Sequence, residues 1–207
     1  MTDAIRVLIV DDHQLLRDGI AVLIGTCNDI VVVGQAENGK EAIATYRKLQ
    51  PDVTLMDLQL PDMDGADVIK AIKDEAPHAR IIVLTTYSGD TRAQKALHAG
   101  ARAYTLKNHV RRDLLETIRR VFAGHKYIDP EIAAQIAEHT GEEGLTPREL
   151  QILARIASGS SNKRIGAELA ISEDTVKGHV SSILQKLNAN DRTHAVTLAI
   201  QRGVIQL

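Results

Sequence analysis

The hydrophobic period of the first 124 residues keeps switching, and this constrains the fold more than any other feature. Short apolar runs stand at 7–10 (VLIV), 30–33 (IVVV), 53–56 (VTLM), 81–84 (IIVL) and 103–106 (AYTL). Between and after them lie helix-period stretches near 14–24, 39–49, 65–75, 90–98 and 110–123. Five strands alternating with five helices imply a doubly wound parallel α/β sheet. Strands this continuously apolar are buried on both faces.

The switching stops after residue 124. Residues 125–144 hold a Pro-initiated helix and then a small, polar, acidic linker from Thr140 to Gly144. Residues 145–207 show helical periods only. The expected organisation is an α/β domain over 1–124, a linker with a helix over 125–144 and a small all-α domain over 145–207.

Charge follows the same division. From Leu145 onward there are eight Lys/Arg and five Asp/Glu, against seventeen and twenty-two before it. The second part is thus the one suited to a polyanion. Aromatics make up only 2% of the chain, which excludes a stacking platform for single-stranded nucleic acid. The single cysteine, Cys27, excludes an internal disulfide and fits a reducing, cytoplasmic setting. No apolar run nears the ~20 residues of a membrane span, and the N-terminus lacks a signal-peptide pattern.

In an open parallel sheet, ligands bind beyond the carboxyl ends of the strands, where strand order reverses. Strand 1 ends in Asp11–Asp12, strand 3 in Asp57, strand 4 in Thr85–Thr86 and strand 5 in Lys107. A 2-1-3-4-5 order places Asp57 beside the acid pair. Three carboxylates in one cleft need a cation, and all-oxygen ligands with room for water favour Mg²⁺. Asp57 can then act as a nucleophile toward phosphorus, with Lys107 and Thr85 on the phosphoryl oxygens. Each residue alone has a plainer reading, as helix cap, solvated lysine or ordinary strand threonine. The coincidence at four strand ends carries the functional one. His13 is read as a bystander that starts the first helix. "GQAENGKE" (34–41) nearly matches a nucleotide-binding loop, but Glu41 stands where the Mg²⁺-binding hydroxyl is required.

"VLIVDDH", "DVTLMDLQLPDMDG", "IIVLTT" and "AGARAYTLK" closely resemble the receiver domain of two-component response regulators, a flavodoxin-like fold, over about residues 4–122. The resemblance implies that Asp57 accepts a phosphoryl group from a sensor histidine kinase. It implies one Mg²⁺ held by Asp12, by Asp11 largely through water, by Asp57 and by the backbone carbonyl of Gln59. Thr85 and Tyr104 match the family's switch pair, in which the hydroxyl moves toward the phosphoryl group and the ring turns inward. Many receivers carry proline after the lysine; here it is Asn108.

In the second part, "LTPRE" reads as a helix start with Thr146 as N-cap, Pro147 at the first position and Glu149 completing a capping box. A short helix near 162–169 follows, then a turn at Ala170–Ile171, then a longer helix capped by Ser172. Val176, Val180, Ile183, Leu184 and Leu187 form its apolar stripe. Its other face is short-chained and mildly basic, which suits a helix-turn-helix and equally a plain helical bundle.

"LTPRE", "SNKRI" and "ISEDTVKGHVSSILQKL" resemble the LuxR-type DNA-binding domain, and the whole chain resembles response regulators of the NarL/FixJ type. The likeness implies double-stranded DNA as partner, read in the major groove at a two-fold symmetric site. It sets Lys177, Gly178 and Ser181 over base edges, and Thr146, Asn162, Lys163, Thr175 and Lys186 at phosphates. Arg164 falls where Glu or Gln is more usual. A last helix over 191–203 carries Ala195, Val196, Ala199 and Ile200, which serve core packing, a homodimer contact in the phosphorylated state, or both.

The chain is expected to be no dedicated enzyme beyond self-phosphorylation and self-dephosphorylation. The enzyme rival is a Mg²⁺-dependent phosphohydrolase with an aspartyl-phosphate intermediate. It lacks its general acid, since Gln59 stands two residues beyond Asp57. A DNA-binding protein with a vestigial receiver is a third reading, and the full set Asp11, Asp12, Asp57, Thr85 and Lys107 argues against it.

Overall fold

The structure is a computed structural model that describes residues 4–85, 90–138, 144–202 and 204–205. The chain divides into two compact units, Met1–Ser88 with Ala93–Ala134, and Gly89–Arg92 with Gln135–Leu207.

In the first unit, strands β1 (Ile5–Val10), β2 (Ile30–Ala36), β3 (Val53–Asp57), β4 (Ile81–Thr85) and β5 (Ala103–Leu106) alternate with helices. The helices are α1 (Gln14–Gly25), α2 (Gly39–Leu49), α3 (Gly65–Glu75), α4 (Asp90–His98) and α5 (Val110–Phe122). The strands form one parallel sheet in the order β2-β1-β3-β4-β5-β6. The sheet has six strands rather than the expected five. The addition, β6 (Tyr127–Ile128), pairs with β5 at the edge, past the boundary expected at 124. Two half-buried residues at an edge need no apolar run, so no hydrophobic pattern marks them.

The central strands are buried because helices cover both faces of the sheet. Val7 and Ile9 pack with Ile20 and Ile24 of α1 and with Leu114 and Ile118 of α5. Leu8 and Val10, pointing to the opposite face, are also fully buried.

Local chemistry then fixes the turns that follow the strands. A Cβ on Gly65 would lie 2.2 Å from the carbonyl oxygen of Asp57, so only glycine lets α3 start that close to the end of β3. The Asp62 carboxylate accepts from the N–H groups of Gly39 (2.7 Å) and Lys40 (3.1 Å), while Asn38 caps the same helix through Glu41 N. These N–H groups, which a nucleotide loop would aim at phosphate, are thus taken by the side chains of Asp62 and Asn38. Lys107, Asn108 and His109 form a 3-10 turn, and every described peptide bond is trans.

The second unit is helical throughout its described residues. Helix α6 (Pro130–Glu138) spans the boundary between units, and α7 (Pro147–Ala157), α8 (Asn162–Leu169), α9 (Glu173–Leu187) and α10 (Arg192–Gln201) follow. The capping box of α7 forms as expected: Glu149 N–H donates to Thr146 Oγ1 at 3.3 Å, and Thr146 N–H donates to Glu149 at 2.7 Å. Ser161, Ser172 and Asp191 cap α8, α9 and α10. Between α8 and α9, Ala170 takes a left-handed conformation (φ 54°) that makes the turn tight. Ile152, Leu153, Ile165, Val176, Ile183 and Leu187 lie at the centre of the core. Of the sequence expectations, Thr86, linker residues 140–143 and Gly203 lie outside the described residues.

Candidate functional site

The sheet delivers the predicted residues to one rim. Asp11 directly follows β1, Asp57 and Thr85 close β3 and β4, and Lys107 directly follows β5. Asp57 and Thr85 fall on the same edge because β3 and β4 pair in register, with Asp57 opposite Leu84. The Lys107 ammonium, itself 8% exposed, lies 2.8 Å from Asp57 Oδ2 and 2.6 Å from Asp11 Oδ2. The first contact is an aligned hydrogen bond; the second is an ion pair off the hydrogen-bonding angle. Gln59 N–H donates to the other oxygen of Asp57 at 3.2 Å.

Burial pushes the Asp57 carboxyl above its ordinary range; Lys107 opposes this, and the neighbouring Asp11 adds to it. Burial alone would depress the Lys107 ammonium, yet its contacts with Asp11 and Asp57 hold it above the usual lysine value. Ligating atoms of Asp11, Asp12, His13 and Asp57 all lie within 4.8 Å of one another. Three carboxylates facing one ammonium leave negative charge uncompensated, and Asp12 is partly open to water. The pocket fits a divalent cation that keeps some of its water.

His13 starts α1 as its N-cap residue, as expected, and its ring also engages the acids. Its Nδ1 lies 2.6 Å from Asp12 and 3.2 Å from Asp11, so the ring turns back toward the acids. Arg17 was missed altogether. Its buried guanidinium donates to the carbonyl of Asp11 at 2.6 Å and to Gln35 at 3.4 Å, bracing the acid turn from within. The signal was its place four residues beyond His13, on the inward face of α1. Tyr104 is fully enclosed.

In the second unit, Thr175, Lys177, Gly178 and Ser181 are all exposed along one side of α9, with Val176, Ile183 and Leu187 buried on the other. Apart from the neighbouring backbone of α9 itself, nothing lies within 4 Å of where a Gly178 side chain would begin, so the helix surface is bare there. Lys163 is exposed in the first turn of α8, while the Asn162 Oδ1 beside it is enclosed without a hydrogen-bond partner.

Two family models match. Residues 7–119 match the response regulator receiver domain, and residues 143–199 match bacterial regulatory proteins of the luxR family. The response regulator protein VraR of Staphylococcus aureus is 41% identical over 207 residues, covering 98% of this chain and 99% of that protein. The chain is a LuxR-type response regulator.

As such it is a transcription regulator with a flavodoxin-like receiver and a helix-turn-helix domain. Among solved structures, RcsB of Salmonella enterica serovar Typhimurium, bound to the promoter P1flhDC in the presence of the phosphomimetic BeF3-, matches with TM-score 0.75 and 26% identity. That match covers 95% of this chain and 98% of that one. A structure of two RcsB dimers bound to two parallel DNAs matches with TM-score 0.72 and 25% identity, covering 96% and 99%.

Other predicted residues of this response regulator stand differently. Lys186 is 17% exposed and its ammonium lies 3.0 Å from the buried carboxylate of Glu149. Thr146 uses its hydroxyl within the capping box. Ala195 and Ala199 are fully buried in the core of their own unit, which leaves them no surface for a second chain; Val196 and Ile200 pack against that core and remain partly exposed. Arg164 pairs with Glu168 one turn along α8 at 2.9 Å. Among the described residues, no helix is long and apolar enough to cross a membrane.

Proposed function

We propose that Asp57 is the phosphoryl acceptor of this response regulator and that its charge state governs DNA binding by α9. The observation that carries the reading is the Asp57 carboxylate itself. It is buried, held by Lys107 and Gln59 N–H, and set against the only partly neutralised Asp11. An oxygen of Asp57 forms the new bond to phosphorus as the bond to the donor, a phosphohistidine of a sensor kinase, breaks. Lys107 then meets the phosphoryl oxygens it already faces through Asp57, and the Thr85 hydroxyl closes on them from β4. Asp12, Asp57 and the backbone carbonyl of Gln59, with Asp11 largely through water, would hold Mg²⁺, which when bound would neutralise charge on the phosphoryl group. Tyr104, next to Thr105 on β5, registers the movement of Thr85. Self-phosphorylation and self-dephosphorylation are the whole of its chemistry.

Lys177, Gly178 and Ser181 face base edges in the major groove, and Lys163 and Thr175 face phosphates, which orient the domain without reading sequence. The bare backbone at Gly178 and the short side chain of Ser181 leave part of the recognition to water and DNA shape. A phosphorylated homodimer places two such helices on a two-fold symmetric site. Its RcsB counterpart binds DNA as dimers. The protein works in the cytoplasm, where kinase and DNA meet.

The test combines a small-molecule phosphodonor with Mg²⁺ and weighs the intact protein. The wild type gains phosphoryl mass and Asp57→Asn does not. Equal gain by both, or none by the wild type, removes Asp57 from the role.

A further inference from the structure

Glu149 belongs to the first turn of α7, yet its contacts lie mostly elsewhere. One carboxylate oxygen accepts from Ser182 Oγ at 2.6 Å; the other accepts from Thr146 N–H at 2.7 Å and from Lys186 Nζ at 3.0 Å. Ser182 and Lys186 are one turn apart on α9, so a single carboxylate ties the start of α7 to the second half of the DNA-facing helix. Lys186 also donates to the carbonyl of Gly144 at 3.3 Å. Its ammonium is thus directed into the domain, whereas that of Lys177 pairs at the surface with the exposed Asp174 and Glu173.

We infer that Glu149 is a positioning residue for DNA binding: it fixes α9 against α7 and withholds Lys186 from the phosphate backbone. The inference rests on α9 being the helix that meets DNA. A lysine donating to a buried carboxylate gives up that pairing to reach a phosphate, and so releases no counterion from DNA while the pairing stands.

Salt dependence reads this directly. Each phosphate neutralised adds about 0.9 to the slope of log affinity against log salt for duplex DNA. The full chain is titrated with a random-sequence duplex of roughly three helical turns at several salt concentrations. Glu149→Gln frees Lys186, and its slope steepens by about 0.9. The double variant Glu149→Gln/Lys186→Met removes both charges as a pair, which spares the fold an unmatched ion, and its slope returns to the wild-type value. A Glu149→Gln slope no steeper than wild type overturns the inference, as does a double-variant slope shallower than wild type. Ser181→Glu is the control: a new carboxylate on the exposed side of α9 flattens the slope if that side meets DNA. An unchanged slope there removes the reading of α9 itself, whereas the first two outcomes remove the Glu149 assignment alone.

Discussion

Each half of the chain buries a carboxylate beside a lysine, and the two carboxylates end in opposite states. Asp57 has Lys107 and one backbone N–H as donors and another acid, Asp11, as neighbour; burial prevails and its carboxyl rises above the ordinary range. Glu149 is also closed to solvent but lies less deep in its unit, and burial again acts to raise it. Here the Ser182 hydroxyl, the Thr146 N–H and the Lys186 ammonium outweigh burial and bring it down to about 2. Depth of burial and the number of donors together decide between them. A carboxylate whose acceptor capacity is filled is a structural tie. One left short of donors and pressed by a like charge is where a cation and an electrophile would find a place.

The largest effects test the unfilled side. Asp57→Asn abolishes labelling by the phosphodonor. Lys107→Met leaves the nucleophile but removes the cation facing the developing charge, and labelling slows by roughly 10²-fold; stopped-time intact mass reads both. A Lys107→Met rate within twofold of wild type would show that the ammonium serves Asp57 only as a packing partner.

Stability should separate the two acids by sign. Without divalent cation, Asp57→Asn relieves a buried, poorly compensated charge and stabilises the first unit by about 1 kcal/mol. Glu149→Gln weakens a filled network and destabilises the second unit by about 2 kcal/mol. Residue-resolved hydrogen exchange on the full chain reads each unit separately. A loss of stability in Asp57→Asn would erase the contrast. The pH dependence sharpens it. An acid lowered from 4.5 to about 2 contributes its full stabilisation above pH 4.5 and loses it as pH falls through about 2. The second unit therefore loses stability between those limits, and Glu149→Gln lacks that loss. Asp57 has the reverse sign: its raised value makes its contribution less favourable as pH climbs past the ordinary carboxylate range.

The same contrast explains what was legible in the sequence. Asp11, Asp57, Thr85 and Lys107 each stand at the end of an apolar run, and parallel topology alone carries such ends to one rim. The caps Thr146 and Ser172 were readable because each stands directly before its helix. Partnerships across the chain were not. Lys186 looks like any basic residue on a polar helix face until folding brings Glu149, 37 residues earlier, against it. Asp62 is an acid in a loop until it meets the start of α2, 23 residues back. Ala195 and Ala199 show a small apolar stripe that suits a partner chain as well as a core, and only packing shows that the core takes them. Strand β6 is too short to carry a period.

Two glycines extend the comparison, again one in each unit and again opposite in sign. Gly65→Ala forces a methyl to within 2.2 Å of the Asp57 carbonyl oxygen and 2.7 Å of the Leu58 Cα, both backbone atoms that cannot swing aside. The first unit loses about 1–3 kcal/mol as the turn beyond β3 shifts, and phosphodonor labelling slows because the shifted atoms include those of the acceptor. Gly178→Ala meets nothing within 4 Å beyond the neighbouring backbone of α9 itself. It replaces the poorest ordinary helix former with the best, inside α9, and protection of the α9 amides rises by about 1 kcal/mol. DNA binding should move the other way, because the added methyl stands on the exposed side where the backbone is otherwise bare. A variant that gains both helix protection and DNA affinity would mean that Gly178 faces solvent rather than the groove, and that the short-chained side of α9 is not the one that reads DNA.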